Sequence, residues 1–279
     1  MNEGESDHSD ILFEIEDLEI KYDDETVLRV PRLLVDRGRM TCVLGESGAG
    51  KTTFLDTLSL LNNYREFKGE IKYFHKNGSA PILYSSIRTD EKRLAEMRRD
   101  HFSYVFQESH FFPGLSLDEN VRIPRLIKSQ PIDIDQDPSE SLYKDLQIEK
   151  FKSKQVNKLS GGEKQRTALV RAVLTQNDVL FCDEPTGNLG DNDAAAVMAA
   201  IRDYIVNSEA KKSAIVITHN INLAVRHAHN VILISDRETH MISEENFFCR
   251  TIENAWHCVY ENRTFSEETF VERLKKVFS

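Results

Sequence analysis

Three short apolar runs in the chain each stop at a turn. Met40–Leu44 runs into Gly45, Val179–Cys182 into Asp183, and Ala214–Ile217 into Thr218-His219. A fourth run covers Val231–Ile234. Continuous apolar runs of this length, with β-branched or aromatic members, predict strands covered on both faces, as in a parallel sheet. Helical patterns lie between them, notably over 51–61 and 162–176, so the layout is α/β with a mainly parallel sheet.

The pattern changes elsewhere. Residues 108–160 hold no comparable buried strand. They carry a polar stretch from Gln130-Pro131 to Asp137-Pro138-Ser139 and read as an inserted, mostly helical subdomain. Residues 68–90 alternate weakly and predict an outlying antiparallel β-hairpin turning at Asn77-Gly78. No internal repeat is visible, so the chain carries one such unit. Near the end, Phe270, Val271, Leu274, Val277 and Phe278 share one face of a helix over 266–278. Ser266 is its candidate cap, with acids at its start and Lys275 and Lys276 near its end. Packing of that face on its own domain is the default reading, and contact with a partner or second copy is the sharper one.

Composition narrows the class. With 40% hydrophobic and 29% charged residues among 279, the chain reads as a soluble globular protein. No stretch approaches the roughly 18 to 20 apolar residues needed to cross a bilayer, and the polar, acidic start lacks the features of a signal peptide. The expected location is therefore the cytoplasm, with any membrane connection made through a partner. The net charge of −10 comes from the first 26 residues, where eleven acids face one base, Lys21. Residues 1–10 read as an acidic tail. The balanced remainder gives no support for a broad basic face tracking nucleic acid. Cys42 and Cys182 sit inside apolar runs as small hydrophobes. Cys249 and Cys258 lie near His240 and His257, but their spacing fits no zinc pattern.

The chemistry starts at Gly45-Glu46-Ser47-Gly48-Ala49-Gly50-Lys51-Thr52, which fits G-x-x-x-x-G-K-[ST] and is followed by Thr53. Glycines let the main chain turn tightly and present N–H donors to phosphate oxygens, and the helix that follows adds its positive end. Lys51 then reaches the β- and γ-phosphates, and the Thr52 hydroxyl ligates Mg²⁺. At the end of the second apolar run, Asp183 is placed to hold the Mg²⁺ shell and Glu184 to orient or deprotonate a water. Taken alone, two acids after a buried strand could equally be a surface loop.

Leu159-Ser160-Gly161-Gly162-Glu163-Lys164-Gln165-Arg166, about twenty residues earlier, could be a simple helix start. With the other two motifs it resembles the signature of the ATP-binding cassette (ABC) family, and the resemblance covers about residues 11–244. It implies a P-loop NTPase core with an antiparallel β subdomain and an inserted α-helical subdomain, leaving 245–279 as a C-terminal extension. It also implies a head-to-tail dimer in which Ser160, Gly161 and Gly162 cap the γ-phosphate held by the other subunit. Tyr22 matches the aromatic that stacks on adenine, although an aromatic packed on a sheet edge would read the same way. Gln107 resembles the glutamine contacting Mg²⁺ and the lytic water, and His219 resembles the histidine contacting the γ-phosphate.

Gly187-Asn188-Leu189 looks like the branch serving lipoprotein release, macrolide export and cell division. That branch normally continues with aspartate, whereas position 190 is glycine and Asp191 follows. The proline and histidine often seen before the signature are also missing from Gln155–Lys158. The expectation is an ATPase subunit, with ATP and Mg²⁺, that drives a separate integral membrane permease or extruder. It would sit on the cytoplasmic face of the membrane through that partner. The rival is a soluble ABC ATPase acting on nucleic acid or the ribosome. It is weakened because neither the long coiled coil of the repair branch nor the paired cassettes of the translation branch is present. A non-hydrolytic sensor is disfavoured by the intact Lys51, Asp183, Glu184 and His219.

Overall fold

Continuous apolar runs and alternating ones end up in different sheets of the computed structural model. It describes residues 10–22, 25–61, 67–76, 80–128, 139–208, 211–234, 241–242, 244–258 and 260–278. In chain order the strands are β1 (Ile11–Tyr22), β2 (Glu25–Asp36), β3 (Met40–Gly45), β4 (Phe67–Tyr73), β5 (Ile82–Leu83), β6 (Phe102–Val105), β7 (Val179–Asp183), β8 (Ser213–Ile217), β9 (Asn230–Ile234), β10 (Phe247–Arg250), β11 (Trp256–Cys258) and β12 (Arg263–Phe265). The helices are α1 (Lys51–Leu58), α2 (Tyr84–Ile87), α3 (Glu91–His101), α4 (Leu117–Ile127), α5 (Ser139–Asp145), α6 (Gly161–Leu174), α7 (Asp191–Val206), α8 (Ile221–His227) and α9 (Glu267–Val277).

The larger sheet runs β12-β11-β10-β9-β3-β8-β7-β6. From β9 to β6 every pairing is parallel. Strands β3, β7, β8 and β9 are largely apolar at successive positions because both faces are covered. Cys42, Leu44, Leu180, Cys182, Ala214 and Val216 join the core under α4–α9. Their neighbours Val43, Val179, Phe181, Ile215, Ile217 and Ile232 join the other core, beneath β1, β2, β4 and α1–α3. Parallel strands bring their carboxyl ends to one edge, so Gly45, Asp183 and Ile217 finish side by side, where α/β sheets bind ligands.

The second sheet is antiparallel, in the order β2-β1-β4-β5. The expected hairpin within 68–90 is present in shortened form. Strand β5 contributes only the pairs Lys72–Leu83 and Tyr73–Ile82, and β4 makes most of its bonds to β1. The turn at Asn77-Gly78 lies outside the described residues. From Tyr84 onward the chain is helical, because Tyr84 and Ile87 bury one side of a turn and Leu94 and Met97 repeat that spacing.

Within 108–160 the described residues form α4, α5 and short 3₁₀ turns, with one isolated bridge, Ser116–Gln155. Helix α4 starts with a reciprocal cap between Ser116 and Glu119. The proline-bearing loop lies outside the described residues. After residue 244 the chain extends the larger sheet, with β10 antiparallel to β9 and β11 and β12 following as a meander. Ser266 caps α9 through the Thr269 amide. Phe270 and Leu274 are fully buried, and Phe270 stacks on Trp256 at a ring separation of 4.7 Å. The apolar face of α9 therefore packs on its own domain.

Candidate functional site

Strand β3 turns through residues 46–50 into α1, and two glycines make that turn possible. Gly48 has φ 83° and Gly50 φ 95°, both left-handed, and a Cβ on Gly50 would sit 2.9 Å from the Val27 carbonyl oxygen. The Lys51 ammonium donates to the carbonyls of Gly45 (2.8 Å) and Glu46 (2.7 Å), curling back over the loop. Burial lowers its pKa, opposed by the charges of Glu184, Asp183 and Glu46. Ala49 is buried in the core.

An open cleft of about 460 Å³ lies against this loop. Gly45, Ser47, Gly48, Gly50, Lys51, Thr52 and Thr53 line one wall, and Gln107, Asp183, Glu184 and His219 line another. The Thr52 hydroxyl donates to Asp183 Oδ2 at 3.2 Å. Burial raises the pKa of Asp183, and Glu184 adds to the rise. Asp56, one turn along α1 from Thr52, is pushed up to about 6 by burial and by Asp183. These desolvated carboxylates beside a hydroxyl form an oxygen donor set that fits a hard divalent cation such as Mg²⁺.

Glu184 adopts an unusual backbone, with φ 46° for a non-glycine residue. Three hydrogen bonds hold it there. Its amide donates to Ile217 O (3.1 Å), and its carbonyl accepts from the Gly187 amide (3.1 Å) and from Gln165 Nε2 (2.9 Å). Its carboxylate Oε2 lies 3.0 Å from His219 Nδ1. Sequence reasoning misses Gln165, although it lies inside the signature octapeptide. A polar residue on the buried side of α6 is the available signal, and Gln165 is only 2% exposed.

Tyr22 and the signature residues are not brought into the cleft. Tyr22 is 45% exposed at the end of β1, and its phenol bonds to Thr53. Ser160 caps α6 in a reciprocal arrangement with Glu163, and a Cβ on Gly161 would meet open space. A Cβ on Gly162 would strike Leu189 Cδ2 at 2.9 Å, so the signature turn touches the segment after Glu184. Gly190 stands at the start of α7 without a side-chain cap, and Asp191 is the first helical residue. Arg166 reaches across to Asp193, tying α6 to α7.

The family model for ABC transporters matches residues 28–187. That span holds the phosphate loop, the signature and the Asp183-Glu184 pair. The chain belongs to the ABC transporter ATP-binding family. It is 30% identical over 217 residues to the bacitracin export ATP-binding protein BceA of Halalkalibacterium halodurans, covering 77% of this chain and 80% of that one. It is 33% identical over 211 residues to the lipoprotein-releasing system ATP-binding protein LolD of Zymomonas mobilis, covering 75% and 85%. It is 31% identical over 234 residues to the macrolide export ATP-binding/permease protein MacB of Vibrio parahaemolyticus. That match takes 82% of this chain but spans only 34% of the MacB protein. Among solved structures, a dimeric ATP-binding cassette in a post-hydrolysis state with ADP and phosphate superposes with a TM-score of 0.64 at 25% identity. It covers 80% of this chain and 94% of the other.

The cassette is thus an ATP-binding and ATP-hydrolysing subunit of the transporter class, with the P-loop NTPase fold expected of it. The expected branch agrees with the export and lipoprotein-release relatives. The nucleic-acid and ribosome alternative has no counterpart among these relatives. No helix of the described residues is long and apolar enough to cross a membrane.

Proposed function

We propose that the cassette converts ATP binding and hydrolysis into head-to-tail closure and opening of a dimer, and that this motion drives a separate membrane-spanning partner from the cytoplasmic face. The convergence of Lys51, Thr52, Gln107, Asp183, Glu184 and His219 on one cleft carries this reading. The backbone of residues 45–50 and the Lys51 ammonium hold the phosphates of ATP, with Thr53 beside them. Tyr22, exposed at the rim, offers its ring to the adenine. Mg²⁺ would be held by Thr52, Asp183 and Gln107, and it would neutralise charge on the β- and γ-phosphates. Glu184 orients the lytic water and accepts its proton, and His219 bridges that carboxylate to the γ-phosphate. Ser160, Gly161 and Gly162 form an anion site at the start of α6 that meets the γ-phosphate of a second copy.

The closed dimer is favoured because ATP is gripped from both sides, and loss of phosphate removes the shared contacts. Work is delivered through the loop after β6. There Phe112 is 57% exposed, and the buried Asn120 braces the segment by bonding both the amide and the carbonyl of Phe112.

The test is affinity purification of tagged protein with Mg-ATP from gently solubilised membranes of its own cells. Recovery of a multi-span membrane protein, lost in Phe112→Ala, is the expected result. Recovery of the cassette alone, or with ribosomes or nucleic acid, would overturn the membrane reading.

A further inference from the structure

A second cluster of ligand-bearing side chains lies on Asp178, the residue just before β7, at the end of that strand opposite Asp183. His75 follows β4, and His101 is the last residue of α3. His101 Nδ1 lies 3.2 Å from Asp178 Oδ2, and His75 Nε2 lies 3.8 Å from the same oxygen. The ligand atoms of all three residues fall within 4.8 Å of one another. The two imidazole rings meet edge to face, 4.8 Å apart at 89°, so each turns a nitrogen toward the carboxylate without stacking on the other.

From this geometry we infer that His75, His101 and Asp178 form a binding site for a zinc-like divalent transition-metal ion. Tetrahedral zinc with nitrogen and oxygen ligands at about 2.0–2.1 Å sets those ligands about 3.4 Å apart, and the two histidine–Asp178 separations, 3.2 and 3.8 Å, lie on either side of that value. Imidazole suits zinc, and two imidazoles with one carboxylate is a ligand set such ions accept. The three side chains are 17%, 18% and 7% exposed, so the site is sheltered without being sealed from solvent.

The surroundings limit what the site can do. Lys76 Nζ stands 2.9 Å from Asp178 Oδ1, and the Tyr73 hydroxyl donates to Oδ2 at 3.4 Å. The ammonium occupies the other carboxylate oxygen, so it orients Asp178 as an outer partner and weakens a dication electrostatically. The Asp178 backbone is fixed by the Ser213 amide at 3.0 Å, which presets one ligand. The three ligands come from the antiparallel sheet, from the helix before β6 and from the start of β7. A bound ion would pin the antiparallel sheet to the larger one.

The experiment uses tag-free full-length protein stripped with chelator and titrated with zinc alone by calorimetry, without nucleotide. Wild type and Glu184→Gln should each bind one ion at this site. The Glu184→Gln control removes a carboxylate from the nucleotide cleft, where His219 also faces an acid and could take up zinc. In the His75→Gln/His101→Asn double variant the binding should disappear or weaken by about a hundredfold, while nucleotide-dependent turnover measured with Mg²⁺ stays at the wild-type level. Cobalt on wild type should give the visible bands of a four-coordinate site with no thiolate absorption, which separates it from Cys249 and Cys258. Failure of wild type to take up zinc, equal uptake by the double variant, or a thiolate band would each overturn the assignment.

Discussion

His219 Nδ1 stands 3.0 Å from Glu184 Oε2, and the glutamate that it contacts has a left-handed backbone. The two residues come from adjacent strand ends, β7 and β8, whose parallel register fixes their approach. A ring contact to the residue proposed to handle the lytic water should matter for turnover more than for binding. His219→Ala is expected to lower kcat about a hundredfold, a typical loss for one proton-handling or positioning group. ATP affinity should stay within a few-fold, and steady-state turnover with fluorescent-nucleotide titration checks both.

Gln165 acts one step back from the chemistry as a positioning residue. Its amide donates to the Glu184 carbonyl from the signature helix, so it links α6 to the backbone conformation of the loop proposed to handle the lytic water. Gln165→Leu keeps the volume and removes the donor. The expected outcome is a fall of about tenfold in kcat with unchanged ATP affinity, in keeping with small misplacement of a reacting group. A matching loss of affinity would indicate general unfolding of the loop instead.

Asp56 makes the stability of the nucleotide-free protein pH-sensitive. Its folded-state pKa of about 6 lies above its ordinary value of 3.8, so folding favours its neutral form. The resulting cost is absent well below pH 4, grows as pH rises toward 6, and is full above it. The shift corresponds to about 3 kcal/mol, which partial exposure to solvent reduces to about 1 kcal/mol. Asp56→Asn should therefore stabilise the nucleotide-free, chelator-treated protein by about 1 kcal/mol at pH 7.5, and by clearly less at pH 4.5. Denaturant unfolding at the two pH values measures the difference.

The carboxyl-terminal helix is structural. Phe270 is fully buried between Trp256 and Phe248, with ring separations of 4.7 and 4.9 Å. Phe270→Ala is expected to destabilise the isolated protein by about 3–5 kcal/mol, the usual cost of emptying an aromatic core site. Unchanged unfolding would return this helix to the role of an interface.

How much of this was legible in the sequence follows from how local each constraint is. Phosphate binding needs a particular backbone shape within eight consecutive residues, so Gly45–Thr52 could be read directly. The strands β3, β7, β8 and β9 are buried on both faces and therefore write continuous apolar runs. Strands β10–β12 do not. They are three or four residues long, lie toward an edge, and carry Arg250, His257, Arg263 and Thr264 among their apolar positions. The helices at 84–101 were hidden because a few buried positions on a highly charged segment resemble weak alternation. Gln165 and the His75–His101–Asp178 cluster depend on docking of distant elements. His101 and Asp178 are 77 positions apart, and no local pattern can announce such a meeting.

The proposed mechanism rests on ATP holding two cassettes together until Glu184 permits hydrolysis. Light scattering of Glu184→Gln with saturating Mg-ATP tests this most directly. The expected result is a stable species of twice the 32.1 kDa chain mass, with turnover reduced about a hundredfold or more. It should return to monomer when ADP replaces ATP. A variant that binds ATP yet stays monomeric, or one that turns over at the wild-type rate, would contradict this mechanism.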